Sequence, residues 1–169
     1  FRYYKDMYIV KTNLNGGVVF QKTYGGNFLE KGMDIVRKDN GDGYIVLGQQ
    51  CKHRYDIHSC GPITKVMILD IDENGNNMNQ TFLGGLKFYE FGTPMALATT
   101  FNGGYVFTTS PRIGGDVWLY KWGDFNDNLN LKISPGGFGG ERIERNNDNG
   151  YIISTGGGTV LKTDSELLY

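Results

Sequence analysis

The chain has 169 residues with 39% hydrophobic and 14% aromatic content, enough for one domain with a genuine core. Lys and Arg number 17 against 18 Asp and Glu, a formal net charge of −1. That balance excludes a nucleic-acid groove or a polybasic membrane surface, both of which need concentrated positive charge. No apolar run approaches the roughly 18 residues of a membrane span.

Glycine stands out at 26 residues against four prolines, a composition of many tight turns. The apolar run MYIVKTNLNGG opens at Met7 and leads to QKTYGG, ending at Gly26. MDIVRKDN then precedes NGDGYIVLGQQ, whose Tyr44 follows an Asp-Gly step. KVMILDIDENGN from Lys65 and QTFLGG ending at Gly85 complete that set. The order returns as MALATTFN, FNGGYVFTTS with Tyr105, DVWLYKWGDFNDN from Asp116, and KISPGG ending at Gly137. It starts a third time as RIERNN, DNGYIISTGGG with Tyr151, and TVLKTDSELL from Thr159. NFLEKGMDIVRK favours a helix mildly, but Gly32 interrupts it and it aligns with the repeat.

Each repeat reads as four short antiparallel strands joined by Asn-Gly or Asp-Gly turns, expected to be two-residue type I′ turns. A four-stranded unit repeated in tandem predicts an all-β fold, a β-propeller or propeller segment of about three and a half blades. The boundaries expected are a partial blade over 1–32, blades over 33–86 and 87–138, and a partial blade over 139–169, in one domain.

The matches NGDGYIVLG, DVWLYK, ILDIDENGNN and QKTYGG resemble secreted propeller repeats of loose consensus DGGYIVAG, DIWLVKLDENGN and WxKTYGG. Such repeats occur in bacterial, especially Bacteroidetes-type, and archaeal cell-surface proteins and are similar to Kelch-type blades. The chain departs from them where TTS replaces the AG ending and where the fourth-strand tryptophan is missing. The resemblance implies an extracellular or cell-surface adhesion or binding module. Its partners would be proteins or glycans, or further copies completing a ring, with no nucleic acid and no membrane span.

The candidate sites follow from residue chemistry. CKHRYDIHSC, Cys51 to Cys60, holds both cysteines and both histidines, His53 and His58. Between a second and a third strand it reads as an enlarged hairpin loop whose base a Cys51–Cys60 disulfide would staple. A zinc site of Cys51, His53, His58 and Cys60 and a pair of free thiols are the alternatives. DIDENG carries Asp70, Asp72 and Asn74 at calcium-loop spacing, though Thr81 stands where a bidentate Glu belongs. No cofactor is expected apart from that calcium, and a plain hairpin turn is the competing reading. Asp124, Asn126 and Asn128 alternate similarly. Among the aromatics, Trp118 is expected in the core, while Tyr89 and Trp122, with Phe88 and Phe91, are candidates for ligand stacking. Glu90, Asp116, Glu141 and Glu144 are the carboxylates a propeller glycosidase would draw on. Asn79-Gln80-Thr81 is a glycosylation triplet. With no nucleophile motif, catalysis is not expected. A carbohydrate-binding lectin and a self-assembling surface subunit are the other functional alternatives.

Overall fold

The computed structural model describes residues 5–51, 64–83, 92–110, 117–122, 130–133 and 139–168. Every regular element among them is a β-strand, and the strands form four small antiparallel sheets. They fall into two compact units, Phe1–Phe88 and Tyr89–Tyr169.

In the first unit β1 (Met7–Thr12) pairs β2 (Val18–Tyr24). The second sheet runs in sequence order through β3 (Leu29–Arg37), β4 (Tyr44–Cys51), β5 (Thr64–Ile71) and β6 (Asn77–Leu83). The two sheets meet through Met7, Phe20 and Tyr24 on one side and Val46, Met67, Leu69 and Ile71 on the other. In the second unit, β7 (Thr93–Thr99), β8 (Tyr105–Ser110), β9 (Val117–Trp122) and β10 (Asn130–Ile133) form one sheet. β11 (Gly140–Arg145), β12 (Tyr151–Thr155) and β13 (Val160–Thr163) form the other. Ala96, Ala98, Val106, Val117 and Leu119 pack there on Ile143, Tyr151, Ile153, Leu161 and Leu167. Sheets of this size and order match propeller-like blades, each burying a face against its neighbour.

The repeat holds at the level of single residues. Each first strand carries a one-residue bulge: after Gly32 in β3, after Pro94 in β7 and after Gly140 in β11. The bulge breaks the in–out alternation, which is why periodicity reads each first strand only from Met33, Met95 and Arg142 onward. Pro94 is tolerated because β7 is an edge strand, where a missing N–H costs no ladder bond.

The turns differ from the two-residue type I′ form expected. In the segments 13–17, 72–76, 100–104, 155–159 and 164–168 the first residue's N–H donates to the fifth residue's carbonyl, and its own carbonyl accepts from the fourth. Only the fourth residue has positive φ: Gly16, Gly75, Gly103, Gly158 and Leu167, with Asn149 in the matching turn 146–150. This is a type I turn followed by a left-handed residue, the three-residue hairpin form. The first side chain locks it. Asn13, Asp72, Asn146 and Asp164 each accept N–H bonds from the third and fifth residues through Oδ1. Thr100 and Thr155 accept one from the fifth through Oγ1. The polar turn residues that mark the repeat in sequence therefore close the backbone.

Candidate functional site

The acidic turn after β5 is built into the junction of the two sheets of the first unit. Asp72 Oδ1 accepts the N–H groups of Asn74 and Asn76 at 2.8 and 2.7 Å, and Oδ2 accepts Asn76 Nδ2 at 2.7 Å. These bonds, led by the Asn76 backbone, hold the Asp72 carboxyl below its usual range. Asp70 lies back in β5 with Lys38 Nζ 2.6 Å away. Asn74 lends the turn its backbone N–H.

β1 and β2 then grip this turn. The Phe20 ring lies over Gly75, where a Cβ would come within 2.7 Å of it. Tyr24 OH donates to the Gly75 carbonyl at 2.5 Å, and Lys22 Nζ donates to Asn76 Oδ1 at 2.7 Å. Burial raises the Tyr24 pKa, helped by the Asp72 charge. Glu73 pairs with Lys11 and with Arg37. The bond from Lys11 leads in lowering the Glu73 pKa and raising that of Lys11. Cations of the protein thus stand around Asp70 and Glu73.

Among the described residues no group of three or more His, Cys, Asp or Glu gathers at metal-binding distance. His53, His58 and Cys60 lie outside the described residues, as do Tyr89, Phe88, Phe91, Glu90, Asp116, Asp124, Asn126 and Asn128. Cys51 closes β4 opposite Leu29 and Thr64 and is buried. Glu141 and Glu144 are exposed on β11, where Arg142 donates to Glu144 Oε1 at 2.9 and 2.5 Å. Asn79 is exposed in β6 and Thr81 half-buried.

The aromatics of β8 and β9 share one face. Trp122 stacks on its cross-strand partner Tyr105 at 6.1 Å, and Phe107 stacks on Tyr120 at 5.1 Å. Trp118, expected in the core, lies half-buried on this face and stacks on Tyr120 at 6.3 Å. Strand alternation assigns the opposite face, with Val117 and Leu119, to the sheet–sheet core.

Glu30 is a feature that composition and motif spacing do not single out. It is 3% exposed. Its N–H donates to the Lys5 carbonyl at 2.9 Å, and its Oε1 accepts Gln50 Nε2 at 3.0 Å. Oε2 makes no hydrogen bond, although the Gly26 N–H lies close enough to favour the charged form. Burial dominates and pushes the Glu30 pKa up, with Asp6 adding to it. The signal in sequence is a charged residue inside a strand run that begins with Leu29. A carboxyl whose folded pKa is raised stabilises fully below its unfolded pKa, near 4.3. That stability is lost as pH rises through the folded value. The stability of Glu30→Gln relative to the parent protein should therefore grow from pH 4 to pH 7 in urea titrations; a difference independent of pH would contradict this.

No family model matches the chain, and no curated protein matches it in sequence. Solved structures are similar to it, among them the following two. A protein of unknown function from Bacteroides caccae is 12% identical, with a TM-score of 0.44 over 92% of this chain and 70% of that one. A catalytically inactive virginiamycin B lyase from Staphylococcus aureus, solved with quinupristin, is 12% identical, with a TM-score of 0.40 over 80% of this chain. The chain spans 56% of the length of that lyase.

Proposed function

We propose that the chain is a non-catalytic, secreted or cell-surface binding module of propeller-like blades that recognises a protein or glycan through the connections at one end of its sheets. The observation that carries this reading is where length varies. At one end of each sheet, the turns 13–17, 72–76, 100–104 and 146–150 keep one locked form, and 38–43 is one residue longer. At the other end, second and third strands are joined by 52–63 in one sheet, 111–116 in the next and the short turn 156–159 in the last. Rigid strands with variable loops at one end are the usual layout of a recognition surface. Calcium is not needed for this role. A Cys51–Cys60 disulfide would staple the longest connection at its root, where Cys51 is buried.

The test is to replace 52–63 with the short β12–β13 turn. Binding found on glycan or protein arrays should fall at least tenfold while the unfolding curve keeps its slope. A replacement that binds like the parent protein sinks the reading. The staple is tested separately by intact mass, which should rise by two hydrogens on reduction.

The second reading is a lectin. The Tyr105–Trp122 pair, half-buried and stacked, offers aromatic surface of the kind that carries a sugar ring. Trp122→Ala should then abolish glycan binding without unfolding the protein.

A further inference from the structure

The sequence holds five Asn-Gly steps: Asn15-Gly16, Asn40-Gly41, Asn74-Gly75, Asn102-Gly103 and Asn149-Gly150. Such a step can modify itself. The glycine nitrogen reaches the asparagine Cγ because no Cβ on the glycine blocks its approach. For this the peptide plane between the two residues must swing, and any bond made by the glycine N–H must break. The fold therefore decides which step reacts.

Four of the five steps are held. The Gly16 N–H donates to the Asn13 carbonyl at 3.0 Å, and the Asn15 N–H donates to Asn13 Oδ1 at 3.0 Å. The Gly41 N–H donates to the Lys38 carbonyl at 3.0 Å, and both polar atoms of the Asn40 side chain are tied to Asp42. The Gly75 N–H donates to the Asp72 carbonyl at 3.0 Å, with the Phe20 ring over Gly75 and Tyr24 OH on its carbonyl. The buried Gly150 donates its N–H to Asn146 Oδ1 at 2.9 Å.

Asn102-Gly103, in the turn between β7 and β8, is held least. The Gly103 N–H reaches the Thr100 carbonyl only at 3.4 Å, past the usual limit of about 3.2 Å. That carbonyl also accepts Arg145 Nη1 at 3.2 Å. Both residues of the step are exposed, and nothing lies within 4 Å of a Cβ built at Gly103.

We infer that Asn102 is a self-modification site, which converts in the folded protein ahead of the other four steps with water as co-reactant. The Gly103 nitrogen bonds to Asn102 Cγ and gives up its proton. The Cγ–Nδ2 bond breaks, and ammonia leaves carrying that proton. The resulting succinimide takes up water. Opening at Cγ leaves an ordinary aspartyl at position 102; opening at the main-chain carbonyl leaves an isoaspartyl, with one more methylene in the main chain. The isoaspartyl form does not fit the turn. The Thr100 N–H donates to the Gly104 carbonyl and the Gly104 N–H to Thr100 Oγ1, both at 2.8 Å, and this closure sets Thr99 opposite Tyr105. Phe101 in the same turn packs on the buried Tyr151 at 5.9 Å, with Arg145 over its ring. The longer loop loosens that corner of the core.

The test follows the full chain in warm neutral buffer by peptide mapping. The mass gain of OH in place of NH2 marks conversion, and electron-transfer fragmentation separates the two products. A parallel sample in guanidinium gives the rates without the fold. In the folded chain Asn102 should convert at least threefold faster than each of the other four, a lead that the unfolded sample should lose. Asn102→Ser should remove the fast phase. The isoaspartyl fraction, isolated by chromatography, should exchange amides 100–105 faster than the parent protein. Three results overturn the inference. The first is conversion at any other step before Asn102. The second is the same lead of Asn102 in guanidinium, which would make local sequence the cause. The third is an Asn102 that converts in guanidinium and stays intact in the folded chain. Unchanged exchange at 100–105 in the isoaspartyl fraction would overturn its effect on the turn.

Discussion

Gly43→Ala and Gly150→Ala will each destabilise the unit that carries them by about 3–5 kcal/mol, the upper range for overpacking against a fixed backbone. The glycine of the Gly-Tyr step sits where the next strand passes closest. A Cβ at Gly43 would fall well inside van der Waals contact of the Ile71 carbonyl oxygen, and one at Gly150 would do the same at the Thr163 carbonyl. Neither oxygen can retreat, because each belongs to the residue that enters a locked turn, at Asp72 and at Asp164. Gly43 also has a φ of 133°, a region closed to residues with a side chain. Gly103 is the control: its φ is 85°, but nothing lies within 4 Å of a Cβ built there. Alanine at Gly103 should cost only the left-handed backbone preference, about 1–2 kcal/mol. Urea unfolding of the three variants, read by tryptophan fluorescence and by hydrogen exchange in each unit, decides the matter. Equal losses at Gly150 and Gly103 would refute the close-approach explanation.

Phe20→Ala is expected to cost about 3–4 kcal/mol and to release β1 and β2 from the acidic turn. Phe20 is 8% exposed, and its ring covers Gly75 while joining Met7 and Tyr24 against Met67, Leu69 and Ile71. Removing it opens a cavity where the two sheets of this unit share a core, and amides 72–76 should exchange faster. Lys11→Met, which deletes the pair to Glu73, should change stability much less. That pair stands partly in water, where Coulomb attraction is screened and ordering two long side chains offsets it. If Lys11→Met proved the more damaging of the two, the junction would be electrostatic and the apolar account would fail.

The same comparison separates what could be read in advance from what could not. The sequence by itself determined the strand inventory, the antiparallel order within each sheet and the turn positions. Those depend on local properties: β-rich runs, Gly-Tyr steps, and Asn, Asp or Thr at the head of each turn. It did not reveal the turn class, because Asn-Gly suits either of two hairpin loops. The bonds that the first side chain makes to the third and fifth N–H groups close the three-residue form, and the Asn-Gly pair alone does not show them. DIDENG shows the limit most clearly. Its spacing is that of a cation loop, and spacing does not show that Lys38 stands beside Asp70 and that Lys11 and Arg37 stand beside Glu73; Arg37 and Lys38 come there at the end of β3 in the same sheet, Lys11 by packing of the β1–β2 sheet on it. Trp118 and Val117 are adjacent in sequence, and only the choice of which face of β9 meets β11 to β13 sends valine to the core and tryptophan to the aromatic face. Glu30 is ordinary in sequence and becomes a buried, half-satisfied carboxyl once β1 crosses the start of β3. Local chemistry chose the strands and where they turn; non-local packing chose which polar groups were left to act.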